Sequence, residues 1–136
     1  PPWIDLKLEL AVQSCCIGAI EQGLLESAHD VSNGGLAVAL AECCIGGPDK
    51  PLGVRVETHE MIRTDALLFS ESQSRIIVSL KETNLERLQE LAEQHRVPLL
   101  VIGAVGGSRL AFPPLLQPPV EELRGIWSNG LTARLK

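Results

Sequence analysis

Residues 27–45 read Ser-Ala-His-Asp-Val-Ser-Asn-Gly-Gly-Leu-Ala-Val-Ala-Leu-Ala-Glu-Cys-Cys-Ile. Three local structures follow one another in this run. Ser27 to Val31 is short and bounded by turn residues, which predicts a strand. Ser32-Asn33-Gly34-Gly35 has the composition of a turn. Gly35 to Ile45 is rich in Ala and Leu, and Gly46-Gly47-Pro48 stops it, which predicts a helix. A strand that turns through glycines into a helix is the nucleus from which the rest of the fold is read.

Upstream, residues 4–23 have helical periodicity, with Leu6, Leu10, Ile17, Ile20 and Leu24 at spacings that predict one apolar face. Gly23 lies near the end of that helix. Downstream, Leu52 to Glu57 alternates as a strand with Val54 and Val56 on one side. Residues 60–70 fit a helical turn or two. Arg75 to Lys81 is a β-branched strand. Thr83 and Glu86 have the spacing of a capping box for a third long helix, with Leu85, Leu88, Leu91 and Ala92 as its stripe. Pro98 closes that helix and opens a strand through Leu99–Ile102. Gly106-Gly107 predicts a hairpin turn into Arg109–Phe112. Pro118-Pro119 starts a last helix, with Glu121 and Glu122 in its first turn and Val120, Leu123 and Trp127 on its apolar face. Strands alternate with helices, but the hairpin breaks strict alternation. The expected fold class is therefore α+β, a mixed β-sheet with packed helices, in a single domain over residues 1–136. The Pro1-Pro2 opening, without an initiator Met, predicts a segment of a longer chain.

Composition excludes several function classes. The chain has 136 residues, 45% of them hydrophobic, which suits a real core. Two Phe, two Trp and no Tyr make that core aliphatic. A net charge of -5 and so few aromatics argue against nucleic-acid binding. Backbone amides can still bind an anion locally. No apolar run reaches the ~18 residues of a membrane helix. No signal peptide is visible, so the expected location is cytoplasmic. Cys15-Cys16 and Cys43-Cys44 lack the two-residue gap common in zinc sites and read as small core residues in a reducing compartment.

Two segments carry candidate chemistry. In His29–Gly35, Asp30 ends a strand, where a carboxylate can meet magnesium, a cation that prefers one or two carboxylates plus substrate phosphates. Ser32, Gly34 and Gly35 open a helix whose free amides and positive dipole end attract phosphate. Plain helix capping by Ser32 or Asn33 explains the same residues equally well. A hydrolase triad is rejected, because a short extended run does not supply the geometry. In Glu71-Ser72-Gln73-Ser74-Arg75, five polar residues precede a strand, and Arg75 can meet a phosphate or carboxylate with two bonds. The plainer reading is a solvated loop with an internal Glu71–Arg75 pair. Gly103 to Gly107 lacks the Lys-Ser/Thr ending of a phosphate loop and is assigned no chemistry.

His29 through Glu42 resembles the second motif of its kind in the phosphoribosylformylglycinamidine synthase (formylglycinamide ribonucleotide amidotransferase) family. Leu68-Phe69-Ser70-Glu71-Ser72-Gln73-Ser74-Arg75 is similar to the motif that follows it there. Order and separation also match, as do Pro1-Pro2 with Asp5-Leu6 and the stretch Ile102–Gly107, so the resemblance covers essentially the whole chain. The wider superfamily includes aminoimidazole ribonucleotide synthetase, selenophosphate synthetase, thiamine-phosphate kinase and a hydrogenase maturation protein. The resemblance implies the α+β C-terminal domain of an ATP-dependent C–N ligase of purine biosynthesis. That enzyme converts formylglycinamide ribonucleotide, glutamine and ATP to the amidine. The implied cofactors are ATP/ADP and Mg2+, with Asp30 toward the metal and Ser32, Gly34 and Gly35 toward nucleotide phosphate. Glu71, Ser72 and Gln73 match a run that contacts substrate in the first copy of this domain, so here the resemblance implies a pseudo-symmetric remnant or a structural role. Asn33 stands where Asp is common. No catalytic residue falls in this chain, and the chain alone is not expected to turn over. Implied partners are other domains of the same chain, a glutaminase subunit or domain, and small-molecule nucleotides, with a homodimer of the fragment also considered. The alternatives are a structural or interaction module without a ligand, and the same domain in another ATP-dependent member of the superfamily.

Overall fold

The protein, seen in a computed structural model, is described over residues 4–46, 52–57 and 63–134, the side chains of Thr64 and residues 131–134 excepted. The opening prolines, the Gly47-Pro48 stop and residues 60–62 of the expected helical turn lie outside these. Two compact units divide the chain, Pro1–Ala39 with Thr64–Val101, and Leu40–Arg63 with Ile102–Lys136. The expected α+β class holds, and the strands fall into two sheets.

In the first unit, α1 (Leu6–Glu21) starts where the Asp5 carboxylate accepts from the amides of Lys7 at 2.9 Å and Leu8 at 3.2 Å. That bond satisfies two of the amides a helix start leaves orphaned. Strand β1 (Leu25–Asp30) pairs antiparallel with β3 (Ile76–Leu80). Helix α3 (Thr64–Phe69) precedes β3, and α4 (Leu85–His95) follows it through a single 3-10 turn. The core gathers Cys15, Ala19, Leu24, Leu88, Leu91 and Ala92, with Leu25, Val78, Leu80 and Val97 packed against it.

Two expectations fail here. The buried face of α1 is Val12, Cys15 and Ala19, whereas Leu6, Leu10, Ile17 and Ile20 are 55–73% exposed. Small residues let α1 approach α4 closely, and a Cβ on Gly18 would lie 3.6 Å from Leu91. The bulk of the interface comes from α4, so the larger aliphatics of α1 are left outside. The Thr83/Glu86 capping box does not form either. The residue before α4 is Asn84, in helical conformation and without a side-chain cap, and its side-chain amide nitrogen instead donates to the Leu24 carbonyl at 3.0 Å.

Helix α2 (Gly35–Ile45) begins in the first unit and ends in the second, and buries Leu36, Ala37, Ala39, Leu40 and Cys44. In the second unit, β2 (Val54–Val56) buries both valines and exposes Arg55, as its alternation predicts. It lies between β4 (Gly103–Val105), antiparallel, and β5 (Leu110–Ala111), parallel. The expected hairpin across Gly106-Gly107 is thus corrected, because β2 separates its two arms. Gly53 bonds both glycines through its backbone, at 2.8 and 3.0 Å. The strand expected at Leu99–Ile102 starts at Gly103, where pairing with Val56 begins. Helix α5 (Val120–Arg134) starts after Pro118-Pro119 and buries Val120, but Trp127 is exposed.

All four cysteines are free thiols. Cys15 and Cys44 are buried and Cys16 and Cys43 half-buried, and burial pushes Cys44 up to about 11. That environment makes it a packing residue rather than a nucleophile.

The inverted face of α1 has a measurable consequence. Leu88→Ala is expected to cost about 2–5 kcal/mol, the range for a truncated core leucine. Leu10→Ala is expected to stay within about 0.5 kcal/mol, as an exposed position should. Denaturant unfolding of the two variants checks both values.

Candidate functional site

The register of β1 on β3 brings the two polar motifs together. Asp30 lies opposite Ile76, and the Val31 amide donates to the Arg75 carbonyl at 2.9 Å. The chain leaving β1 through residues 31–35 therefore runs beside the loop that enters β3.

The turn itself is built on two consecutive left-handed residues, Gly34 at φ +81° and Gly35 at φ +69°. A Cβ on Gly34 would stand 2.5 Å from Val38, within the same turn of helix. A Cβ on Gly35 would stand 2.7 Å from the Phe69 backbone and 2.8 Å from the Leu68 carbonyl oxygen. The close approach that requires Gly35 is thus made by the end of α3. The Gly35 amide donates to the Ser32 carbonyl at 3.1 Å, and the Gly34 amide donates to Glu71 Oε1 at 2.8 Å. Neither the Ser32 nor the Asn33 side chain caps this start, which corrects the capping reading. The cap is a carboxylate from the second motif, placed at the positive end of α2 where negative charge is favoured.

Asp30 points outward, its side chain 72% exposed. Its Oδ1 is 3.8 Å from His29 Nδ1, and that same nitrogen lies 2.6 Å from the Asp30 carbonyl oxygen. Ser32 and Asn33 are exposed beside it. No cluster of three or more His, Cys, Asp or Glu side chains assembles among the described residues. The donor set suits a hard cation held by a single carboxylate and completed by a ligand's phosphates, which is how magnesium is commonly bound.

In the second motif Glu71, Ser72 and Gln73 are exposed. Arg75 turns back on its own loop and donates to the carbonyls of Ser70 and, at 3.2 Å, Ser72. The expected Glu71–Arg75 pair does not form: the Glu71 carboxylate accepts from the Gly34 amide, and the Arg75 guanidinium donates twice to its own loop. Partial burial lowers the Arg75 pKa from its ordinary value. Ser74 is left-handed at φ +63°, uncommon for a residue with a Cβ. Its hydroxyl donates to Glu9 Oε2 at 2.6 Å, and Gln13 donates to Glu9 Oε1 at 2.6 Å. The Ser74 bond first, and Gln13 second, hold the Glu9 carboxyl below the usual carboxylate range.

Glu9 escaped the sequence reading. It sits on a helix whose visible signal is aliphatic, 65 residues from the serine it binds. No local pattern announces such a pairing.

Two tests follow from these contacts. Gly35→Ala is expected to destabilise the protein by about 1–3 kcal/mol through strain against the α3 backbone, read by thermal or denaturant unfolding. The Glu9 carboxyl is depressed in the folded state. Its contribution to stability is thus present above its unfolded pKa and is lost as pH falls through the lower folded value. Ser74→Ala should raise the Glu9 titration midpoint toward the ordinary value, measured by carbon NMR of its side-chain carboxyl.

Known proteins share this arrangement of elements. The family model described as "AIR synthase related protein, C-terminal domain" matches residues 4–112. Phosphoribosylformylglycinamidine synthase subunit PurL of Anaeromyxobacter sp. (strain K) is 45% identical over 143 residues, covering 100% of this chain and 19% of that protein. The chain thus spans about a fifth of the length of the curated relatives it matches. The crystal structure of phosphoribosylformylglycinamidine synthase II from Thermotoga maritima superposes with a TM-score of 0.76 at 25% identity, over 90% of this chain and 22% of that one. The T. maritima PurL complexed with ATP gives a TM-score of 0.70 at 26% identity, over 84% and 21%.

Proposed function

We propose, for a chain that belongs to the AIR synthase related protein C-terminal domain family, that it serves as the C-terminal domain of a phosphoribosylformylglycinamidine synthase. In that role it forms one wall of a nucleotide site whose other wall comes from a neighbouring domain. The whole enzyme would use ATP to activate the formyl amide oxygen of formylglycinamide ribonucleotide. Ammonia released from glutamine by a glutaminase subunit or domain would then displace phosphate. The parent enzyme would work in the cytoplasm, and no helix among the described residues is long and apolar enough to cross a membrane.

The observation that carries the ligand reading is the exposed Asp30 carboxylate at the end of β1, immediately before the glycine turn that opens α2. Magnesium bound there would be completed by phosphates of ATP or ADP, with Ser32 exposed beside it. The Gly34 and Gly35 amides, expected to hold phosphate, already donate to Glu71 and to the Ser32 carbonyl, so a phosphate would have to displace those bonds. Glu71, Ser72 and Gln73 form the pseudo-site. Glu71 holds the turn, and Ser72 and Gln73 remain at the surface. The reaction groups themselves would lie in other domains, so the chain alone should not turn over. The outward aliphatic face of α1, Leu6, Leu10, Ile17 and Ile20, is the surface a sister domain would cover. In the isolated chain the same face would favour a homodimer.

A specific observation favours a second reading, an architectural module without a ligand. The Gly34 amide is already satisfied by Glu71, and Gly35 is required by the approach of Phe69. Calorimetric titration of the chain with Mg·ADP separates the two. The ligand reading expects magnesium-dependent binding that falls by at least about tenfold in Asp30→Ala, the loss of one charge-assisted contact. Binding that ignores Asp30→Ala removes Asp30 from the site, and no binding when the sister domains are also present leaves the architectural role.

A further inference from the structure

Within the second motif, just before β3, Ser74 is left-handed without being glycine, at φ +63°. That conformation is disfavoured for an L-residue and persists only where its surroundings enforce it. The enforcing contact comes from α1, where the Glu9 carboxylate accepts the Ser74 hydroxyl at 2.6 Å. Glu9 is itself fixed, since Gln13 on the next helical turn holds its other oxygen at 2.6 Å. Beyond Ser74 the loop doubles back, so that Arg75 reaches the carbonyls of Ser70 and Ser72. That reversal delivers Glu71 to the Gly34 amide at 2.8 Å. A continuous set of polar contacts therefore runs from the first turns of α1, through the 70–75 loop, to the start of α2.

We propose that Glu9 is a positioning residue for the glycine turn: it holds Ser74 left-handed, and so fixes the loop from which Glu71 caps Gly34. A serine hydroxyl on a half-buried carboxylate is a charge-assisted bond and adds some stability by itself. Its effect here is also directional, because the backbone angle at Ser74 sets where the carboxylate of Glu71, three residues earlier, lands. The bearing of this on ligand binding rests on the reading of Asp30 and the turn as a metal–phosphate site.

The test is NMR of the 15N-labelled chain, read at the Gly34 amide. Glu71→Ala supplies the reference for a freed amide. Glu9→Ala is expected to move the Gly34 resonance in the same direction and to speed its hydrogen exchange about tenfold, the loss of one modest hydrogen bond. Ser74→Ala breaks the same contact from the other side and should reproduce the effect, which covers the case of a Glu9→Ala chain that fails to fold. Ser74→Gly is the rescue, because glycine holds a positive φ without an anchor. A merely stabilising Glu9–Ser74 bond would leave Gly34 as disturbed in Ser74→Gly as in Ser74→Ala, because both lack the hydroxyl. A Gly34 amide indifferent to Glu9→Ala and Ser74→Ala, or one that Ser74→Gly does not restore, overturns the proposal. Mg·ADP titration of the same variants is separate. Glu9→Ala should weaken binding severalfold, and unchanged affinity overturns the link to the ligand. Absence of binding in the unsubstituted chain with its sister domains present overturns the ligand reading alone, and the amide still decides on Glu9.

Discussion

The antiparallel register of β1 on β3 is the constraint from which the site derives. Asp30 sits opposite Ile76, and Val31 bonds to Arg75, so the exit of one strand lies against the entrance of the other. Slipping that pairing by one residue would turn every side chain to the opposite face. It would also carry Glu71 away from Gly34. A two-stranded ribbon is marginal by itself. This one keeps its register because Leu25, Val78 and Leu80 pack against the core that α1 and α4 close. The irregularity between Leu25 and Ser27 falls at the far end of the ribbon, away from the motifs.

Most elements were legible because glycine and proline punctuate this chain sharply. Gly34-Gly35 opens α2, Pro118-Pro119 precedes α5, and Val54 and Val56 alternate around Arg55 as a half-buried strand should. What was not legible is which face of a helix is buried. In α1 the aliphatic stripe carries the stronger periodic signal, yet the core face is Val12, Cys15 and Ala19. Periodicity reports where apolar residues recur. It does not report how close two helices must come, and close approach selects small residues. The hairpin failed for a related reason. Gly106-Gly107 does turn the chain, but a strand from much earlier in sequence occupies the space between its arms. Local turn chemistry carries no record of that insertion.

The site was half legible. The order strand, glycine turn, helix, and the presence of a second polar run before β3, follow from the sequence. The bonds joining them do not. Thr83 and Glu86 had the spacing of a cap and made none, while Glu71 caps a helix 37 residues upstream. Ser74 and Glu9 are further apart still. Such pairs depend on tertiary placement, and a serine in a polar run looks like any other until its backbone angle is known.

The two glycines also limit what a glycine motif can prove. Each has a reason to be glycine that involves only the protein: Val38 crowds one and the Phe69 backbone crowds the other. Glu71 likewise has an internal partner, and Arg75 has two. Asp30 differs from all of these. Its carboxylate ends a strand and stays largely in solvent, and among the described residues the basic side chain beside it is the adjacent His29 ring, at 3.8 Å. An exposed strand-end acid beside a rigid helix start contributes little to folding, since an ion pair in water is worth little. The rest of the turn is held by packing and by Glu71, so its shape is set before any ligand arrives. In the proposed ligand role, a preorganised turn with one outward carboxylate would let a magnesium–phosphate group bind at small entropic cost.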